Sequence, residues 1–128
     1  MAILNGSFIF AADLMREIEL SAQISFVKLA SYVGTSSTGS VCEMIGLNVD
    51  ISGRDVVVVE DIVDSGLTMK YVTEMLAKYN PRSISICTLL LKPGNLKVDL
   101  DIPYKCFSIP NDFILGYGLD YDGYGRNT

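Results

Sequence analysis

Residues 56–68 read VVVVEDIVDSGLT, and this stretch decides the fold. Val56, Val57, Val58 and Val59 form an unbroken β-branched run. A run apolar on both faces suits a central parallel strand with helices on each side of the sheet. It delivers Glu60 and Asp61 to its C-terminal end, where open α/β sheets bind their ligands. Asp64, Ser65, Gly66, Leu67 and Thr68 then turn into a helix marked by Met69, Val72, Met75, Leu76 and Tyr79. Free backbone N–H groups, a glycine and two hydroxyls make that turn a phosphate cradle. Acids beside a phosphate cradle are compatible when the ligand is a phosphorylated sugar. The carboxylates then accept hydrogen bonds from ribose hydroxyls or face Mg²⁺. A plainer alternative is a solvated strand end with Ser65 or Thr68 as an N-cap. It accounts for each residue singly but not for three acids and the turn together.

Working outward, strands and helices alternate. Residues 2–5 read as a strand end running into Gly6-Ser7, and Phe8, Ala11, Ala12, Met15 and Ile18 recur at helical spacing as far as Leu20. Strands are expected over 23–33, 43–47 and 83–91, with two short ones near 104–107 and 113–116, and a turn within 49–54. Asn80-Pro81 stops the second helix, and Lys92-Pro93-Gly94 ends the strand before it. Residues 34–39, GTSSTG, are small and polar; composition alone favours a solvated loop over a Gly-hinged active-site flap. The alternation argues an α/β domain with a largely parallel sheet.

Composition narrows the chemistry. The 128 residues amount to one domain, and 49% are hydrophobic, enough for a buried core. A net charge of −5 repels phosphate backbones, which speaks against nucleic acid as a partner. No apolar stretch approaches a bilayer span and no basic leader precedes the first apolar residues, so no membrane association is expected. Histidine is absent, which removes Ser-His-Asp and Cys-His nucleophiles and leaves acid–base work to carboxylates, Lys, Tyr or Cys. Cys42, Cys87 and Cys106 include no C-x-x-C pair; Cys87 and Cys106 read as small core residues in a reducing cytoplasm. A P-loop is excluded because no G-x-x-x-x-G-K-[ST] run exists. A phospho-receiver domain is excluded because the stretch from Asp61 to Lys92 is too short.

The 56–68 segment resembles the phosphoribosyl pyrophosphate motif of the type I phosphoribosyltransferases, and the rest of the chain resembles their hypoxanthine-guanine (6-oxopurine) branch. Leu4-Asn5-Gly6-Ser7 is similar to the pyrophosphate loop, with Asn5 where many relatives carry Lys. Ser31-Tyr32 followed by GTSSTG is similar to the flexible catalytic loop, which reverses the compositional preference for a plain loop. Lys92 matches the purine-reading Lys. Ile109-Pro110-Asn111-Asp112-Phe113-Ile114, Gly118-Leu119-Asp120-Tyr121 and Arg126 are similar to the C-terminal purine and metal segment.

The resemblance implies a mainly parallel sheet flanked by helices, one core domain over 1–128, and a reduced hood lobe drawn partly from about 93–128. It also implies that the family's N-terminal segment is missing. The implied reaction displaces pyrophosphate from phosphoribosyl pyrophosphate with hypoxanthine or guanine, giving IMP or GMP. Asp64 would be the base toward the purine N7. Glu60, Asp61, Asp64, Ser65, Gly66, Leu67 and Thr68 would hold ribose and 5′-phosphate, and Leu4, Asn5, Gly6 and Arg126 the pyrophosphate. Lys92, Phe113, Ile114 and Asp120 would face the purine, and Glu60, Asp61 and Asp120 would hold Mg²⁺. A cytoplasmic homodimer or homotetramer is implied, and uncovered apolar surface predicts self-association. A non-catalytic nucleotide sensor on the same fold and an inactive fragment are the competing expectations; the former should carry a basic face, against which the charge of −5 speaks.

Overall fold

Three residues, Ala2–Leu4, open the sheet as β1, and everything that follows is arranged around them. The structure is a computed structural model that describes residues 1–33 and 40–128, and the side chains of 1–30 and 43–128. After β1 come α1 (Phe8–Glu17), β2 (Phe26–Val33), β3 (Ser40–Ile45), β4 (Asp55–Val63), α2 (Leu67–Ala77), β5 (Ser83–Leu91), a 3₁₀ turn at Pro93–Asn95 and β6 (Tyr104–Ser108). The sheet order is β3-β2-β1-β4-β5-β6. Every neighbouring pair is parallel except β2 with β3, so the expected α/β architecture is what forms. The predicted loop at GTSSTG lies outside the described residues, as do the side chains of Ser31 and Tyr32.

The valine run behaves as a doubly covered strand. Val56 and Val58 pack with Ile86, Ile3 and Val27 beneath Met69, Val72 and Leu76 of α2. Val59 lies on the opposite face with Ala2, Cys87, Phe10 and Ala11 of α1. Met69, Val72 and Leu76 are at most 1% exposed, and burying each contributes about 1.5–3 kcal/mol. The α1 layer is thinner, and Val57 stays 40% exposed beyond its reach.

At the end of the sheet away from the site, β4 and β5 start level, with Asp55 opposite Ser83. Arg82 clamps the Asp55 carboxylate bidentately, with Nε donating to Oδ1 at 2.9 Å and Nη2 to Oδ2, and Ser83 Oγ donates to Oδ1 at 2.7 Å. These donors hold the Asp55 carboxyl well below the usual carboxylate range.

Several expectations are corrected. β2 starts at Phe26 rather than 23, because its parallel partner β1 is short and pairs Ala2 with Phe26. β3 starts at Ser40 rather than 43 because the hairpin pairing runs back to Val33. Glu60 and Asp61 sit inside β4, which continues to Val63, so they are not a solvated strand end. Residues 113–116 form no strand; Gly116 bridges Leu119 and Tyr121 bridges Tyr124 in two successive tight turns. Cys87 is buried as expected, but Cys106 is exposed on the edge strand beside Phe107, itself 61% exposed. Among the described residues no helix is long and apolar enough to cross a membrane.

Candidate active site

The turn between β4 and α2 is shaped by Gly66, which caps α2 with φ at 84°. That left-handed conformation favours glycine. The space does too, since a Cβ there would meet Leu100 Cδ1 at 2.9 Å and Val98 Cγ2 at 3.0 Å. Lys97 N donates to Ser65 O at 2.9 Å, tying residues 96–100 to the turn from behind. The cap residue is therefore Gly66 and supplies no side-chain bond, so neither Ser65 nor Thr68 is the N-cap. The first-turn amides of α2 are left largely for an anion, except that Leu67 N lies 3.3 Å from Ser65 Oγ. A recess of about 100 Å³ here is lined by Glu60, Ile62, Val63, Asp64, Ser65, Gly66, Thr68 and Met69. Leu67 is 52% exposed at its rim.

A neighbouring cleft of about 240 Å³ is lined by Asp61, Ile62, Asp64, Lys92, Phe113, Ile114, Leu119 and Asp120. Six of these were assigned roles from sequence; Ile62 and Leu119 lie within the same motifs but were given none, being ordinary apolar residues. Lys92 is only 8% exposed, so it is not an ordinary solvent-exposed strand end. Its Nζ lies 3.5 Å from Asp64 Oδ2, and its N–H extends the β4–β5 pairing by donating to Val63 O at 3.0 Å. Phe113 is 71% exposed, so it is no core residue, and meets Tyr121 edge-on with ring centroids 5.8 Å apart. One face is thus free to stack on a flat ring.

The two strand carboxylates differ. Glu60 is buried, and that burial, reinforced by the hydrogen-bonded and negatively charged Asp61, raises its carboxyl well above the usual range. The Asp61 N–H donated to Glu60 Oε1 at 3.0 Å acts in the opposite direction. Asp61 is half-buried and its Oδ1 accepts from Ile62 N at 2.7 Å. Among the described residues no cluster of three or more His, Cys, Asp or Glu could itself cage a metal. Glu60 at the phosphate-sized recess and Asp61 at the neighbouring cleft instead fit Mg²⁺, which takes one or two carboxylates and completes its shell with substrate phosphates and water.

The loop at 4–7 closes the other side. Its Leu4–Asn5 peptide is cis. Ser7 is fully buried and donates to Ile3 O at 2.5 Å. Leu4, Asn5 and Gly6 line neither cleft, yet a Cβ on Gly6 would fall 1.9 Å from Asp61 Oδ2. A Cβ on Gly118 would fall 2.3 Å from Gly6 O, so the loop is wedged between Asp61 and the C-terminal turns. Arg126 belongs to those turns and is not a frayed tail. Its Nη1 donates to Gly118 O at 2.7 Å and its Nη2 lies 3.4 Å from Asp120 Oδ1. Asp120 Oδ2 also accepts from Gly123 N at 2.8 Å. Tyr117 Oη donates to Asp13 Oδ2 at 2.5 Å, fastening the turns to α1. No sequence signal marked this pair, or the contacts of Asn95 with Asp64 and Asn111, both at 2.9 Å.

Residues 1–122 match the phosphoribosyl transferase domain family. A hypoxanthine-guanine phosphoribosyltransferase of Mycobacterium bovis is 47% identical over 95% of this chain and 61% of its own length. The chain thus spans about three-fifths of that relative. A hypoxanthine phosphoribosyltransferase of Escherichia coli K12 is 45% identical over 94% of this chain and 68% of its own. The crystal structure of a hypoxanthine-guanine phosphoribosyltransferase from Bacillus anthracis superposes with a TM-score of 0.89 at 42% identity, covering 98% of this chain and 75% of that one. A cradle at the end of β4, a buried Lys at the end of β5 and these matches have one explanation: the chain belongs to the phosphoribosyl transferase family, in its hypoxanthine-guanine branch.

Proposed function

We propose that the protein transfers a phosphoribosyl group from phosphoribosyl pyrophosphate to hypoxanthine or guanine, giving IMP or GMP and pyrophosphate. The observation that carries this is the convergence of Asp61, Asp64, Lys92, Phe113, Ile114 and Asp120 on one cleft beside the β4–α2 phosphate turn. The α2 N-terminal amides, with Ser65, Gly66, Leu67 and Thr68, hold the 5′-phosphate. Glu60 and Asp61 accept from the ribose hydroxyls. Phe113 stacks on the purine, the Ile114 backbone reads its edge, and Lys92 donates to O6, which selects a 6-oxopurine over adenine, whose amino group is itself a donor. As the glycosidic bond forms, the purine N7 proton becomes more acidic and passes to the Asp64 carboxylate. Leu4, Asn5, Gly6 and Arg126 border the departing pyrophosphate; Asn5 brings a hydrogen bond but no charge. Glu60, Asp61 and Asp120 would hold Mg²⁺, which when bound neutralises pyrophosphate charge.

Residues 1–128 act as one core domain, with the hood partly from about 93–128; Ser31 and Tyr32, expected in the flexible loop, lie instead in β2, paired with Cys42 and Val41 of β3. Apolar side chains left in water, Leu20 at 82% and Phe107 at 61% exposure among them, support a homodimer or homotetramer. The test is direct. Folded protein with Mg²⁺ and phosphoribosyl pyrophosphate should convert hypoxanthine or guanine, but not adenine, to the monophosphate, followed by chromatography. No nucleotide from either 6-oxopurine would overturn the proposal.

A further inference from the structure

We propose that Asn95 is a positioning residue that sets the orientation of Asp64 against the purine-facing segment. This rests on the role given to Asp64 above. Asn95 ends the Pro93–Asn95 turn, and its N–H returns to Lys92 O at 3.0 Å, so its backbone is held. Its Nδ2 donates to Asp64 Oδ1 and to Asn111 Oδ1, both at 2.9 Å. A carboxylate only accepts, so chemistry fixes which end of the amide faces Asp64. Both amide hydrogens are then committed, one to the proposed base and one to a residue two positions before Phe113. The other partner of Asp64 is Lys92 Nζ at 3.5 Å, beyond ordinary hydrogen-bond length. Asn95 therefore supplies the tighter restraint on the carboxylate. It lines neither cleft, so it acts through Asp64 and Asn111 without touching substrate.

The bridge joins two segments that no backbone pairing connects at this level. Asp64 belongs to the turn after β4, and Asn111 to the irregular chain after β6. The sheet aligns the two segments as far as Val63, Leu91 and Ile109, whose N–H donates to Leu91 O at 2.8 Å; beyond those residues the amide links them directly. An angstrom of misplacement at a reacting centre costs about 100-fold in rate.

The experiment compares the wild type with Asn95→Asp, which keeps size and replaces the donor by a repelling carboxylate, and Asn95→Leu, which removes the amide at similar size. Steady-state kinetics should show, in both variants, a purine KM raised about 10-fold and a kcat lowered about 10- to 100-fold. The KM for phosphoribosyl pyrophosphate should stay within about twofold and the thermal midpoint within about 3 °C. Unchanged purine KM and kcat would overturn the proposal. So would a parallel rise of both KM values with a lost thermal transition, which marks a purely structural residue. If the wild type turns over neither purine, the proposed function fails, and the positioning role is read by calorimetric titration with GMP. Affinity should then fall about 10-fold in Asn95→Asp; equal affinity, or no GMP binding by the wild type, would overturn it.

Discussion

The two walls of the site are built on different plans. The wall at 60–69 is a single strand–turn–helix, rooted by Val63, Met69 and Val72, each at most 2% exposed. The wall at 109–126 has no helix or long strand. It is a chain of tight turns held by Arg126 on Gly118 O, Gly123 N on Asp120 and Tyr117 on Asp13. The first wall draws its rigidity from the core beneath it, the second from polar contacts among its own turns and from side-chain ties to Asp13 and Asn95. On the proposed function, the first wall keeps a fixed grip on phosphate and sugar while the second, facing the purine, is set by its own turns and their ties to Asp13 and Asn95.

The sharpest way to break the comparison is at the rigid wall. Asp64→Asn should lower kcat about 100-fold or more while GMP affinity changes by less than about fivefold, because a fixed scaffold keeps its shape when one proton acceptor is removed. Equal losses in kinetics and binding would show that this wall is as deformable as the other. A smaller effect is expected where the walls touch. Gly118→Ala meets Gly6 O at 2.3 Å and must hold φ near 100°, so stability should fall by about 1–3 kcal/mol in denaturant titration. The KM for phosphoribosyl pyrophosphate should rise with it, since Gly6 abuts Asp61.

The smallest effect lies at the anchor of the turn wall. Hydrogen bonding to Asp13, with lesser help from desolvation and the negative charge of Asp13, pushes the Tyr117 hydroxyl up to about 12. Its folded value is raised above the unfolded one near 10, so its contribution is complete below about pH 10 and is lost as pH rises toward 12. The decline of the unfolding midpoint across that window should be shallower in Tyr117→Phe than in wild type. Identical slopes would show that this tie does not hold the turns to α1.

The difference in plan also decides what could be read in advance. The cradle was legible because its parts are contiguous: Val56 to Val59 announce a buried strand, and the acids and Gly66 follow at fixed offsets. Asp61 and the Gly66 turn needed only local chemistry to be noticed. The turn wall was legible only by resemblance. Gly116, Tyr117 and Gly118 all take positive φ, at 98°, 48° and 100°, which a short apolar stretch ending in Gly-Tyr-Gly does not advertise as opposed to a strand. Cys106 misled because its apolar neighbours lie on an edge strand left in solvent. Asn95 and Tyr117 owe their importance to partners 31 and 104 positions away, which no local pattern encodes.

The clamp of Arg82 and Ser83 on Asp55 lies at the far end of β4 and β5, yet it bears on which acid meets the ligand. Parallel pairing carries the alignment of Asp55 with Ser83 along to Glu60 opposite Thr88. Because side chains alternate faces, a slip of one residue would exchange the places of Glu60 and Asp61, turning the half-buried acid inward and the buried one out. The register is kept along the whole strand by the backbone pairing and the buried valines, and the exposed Arg82 clamp adds only a small tie at its lower end.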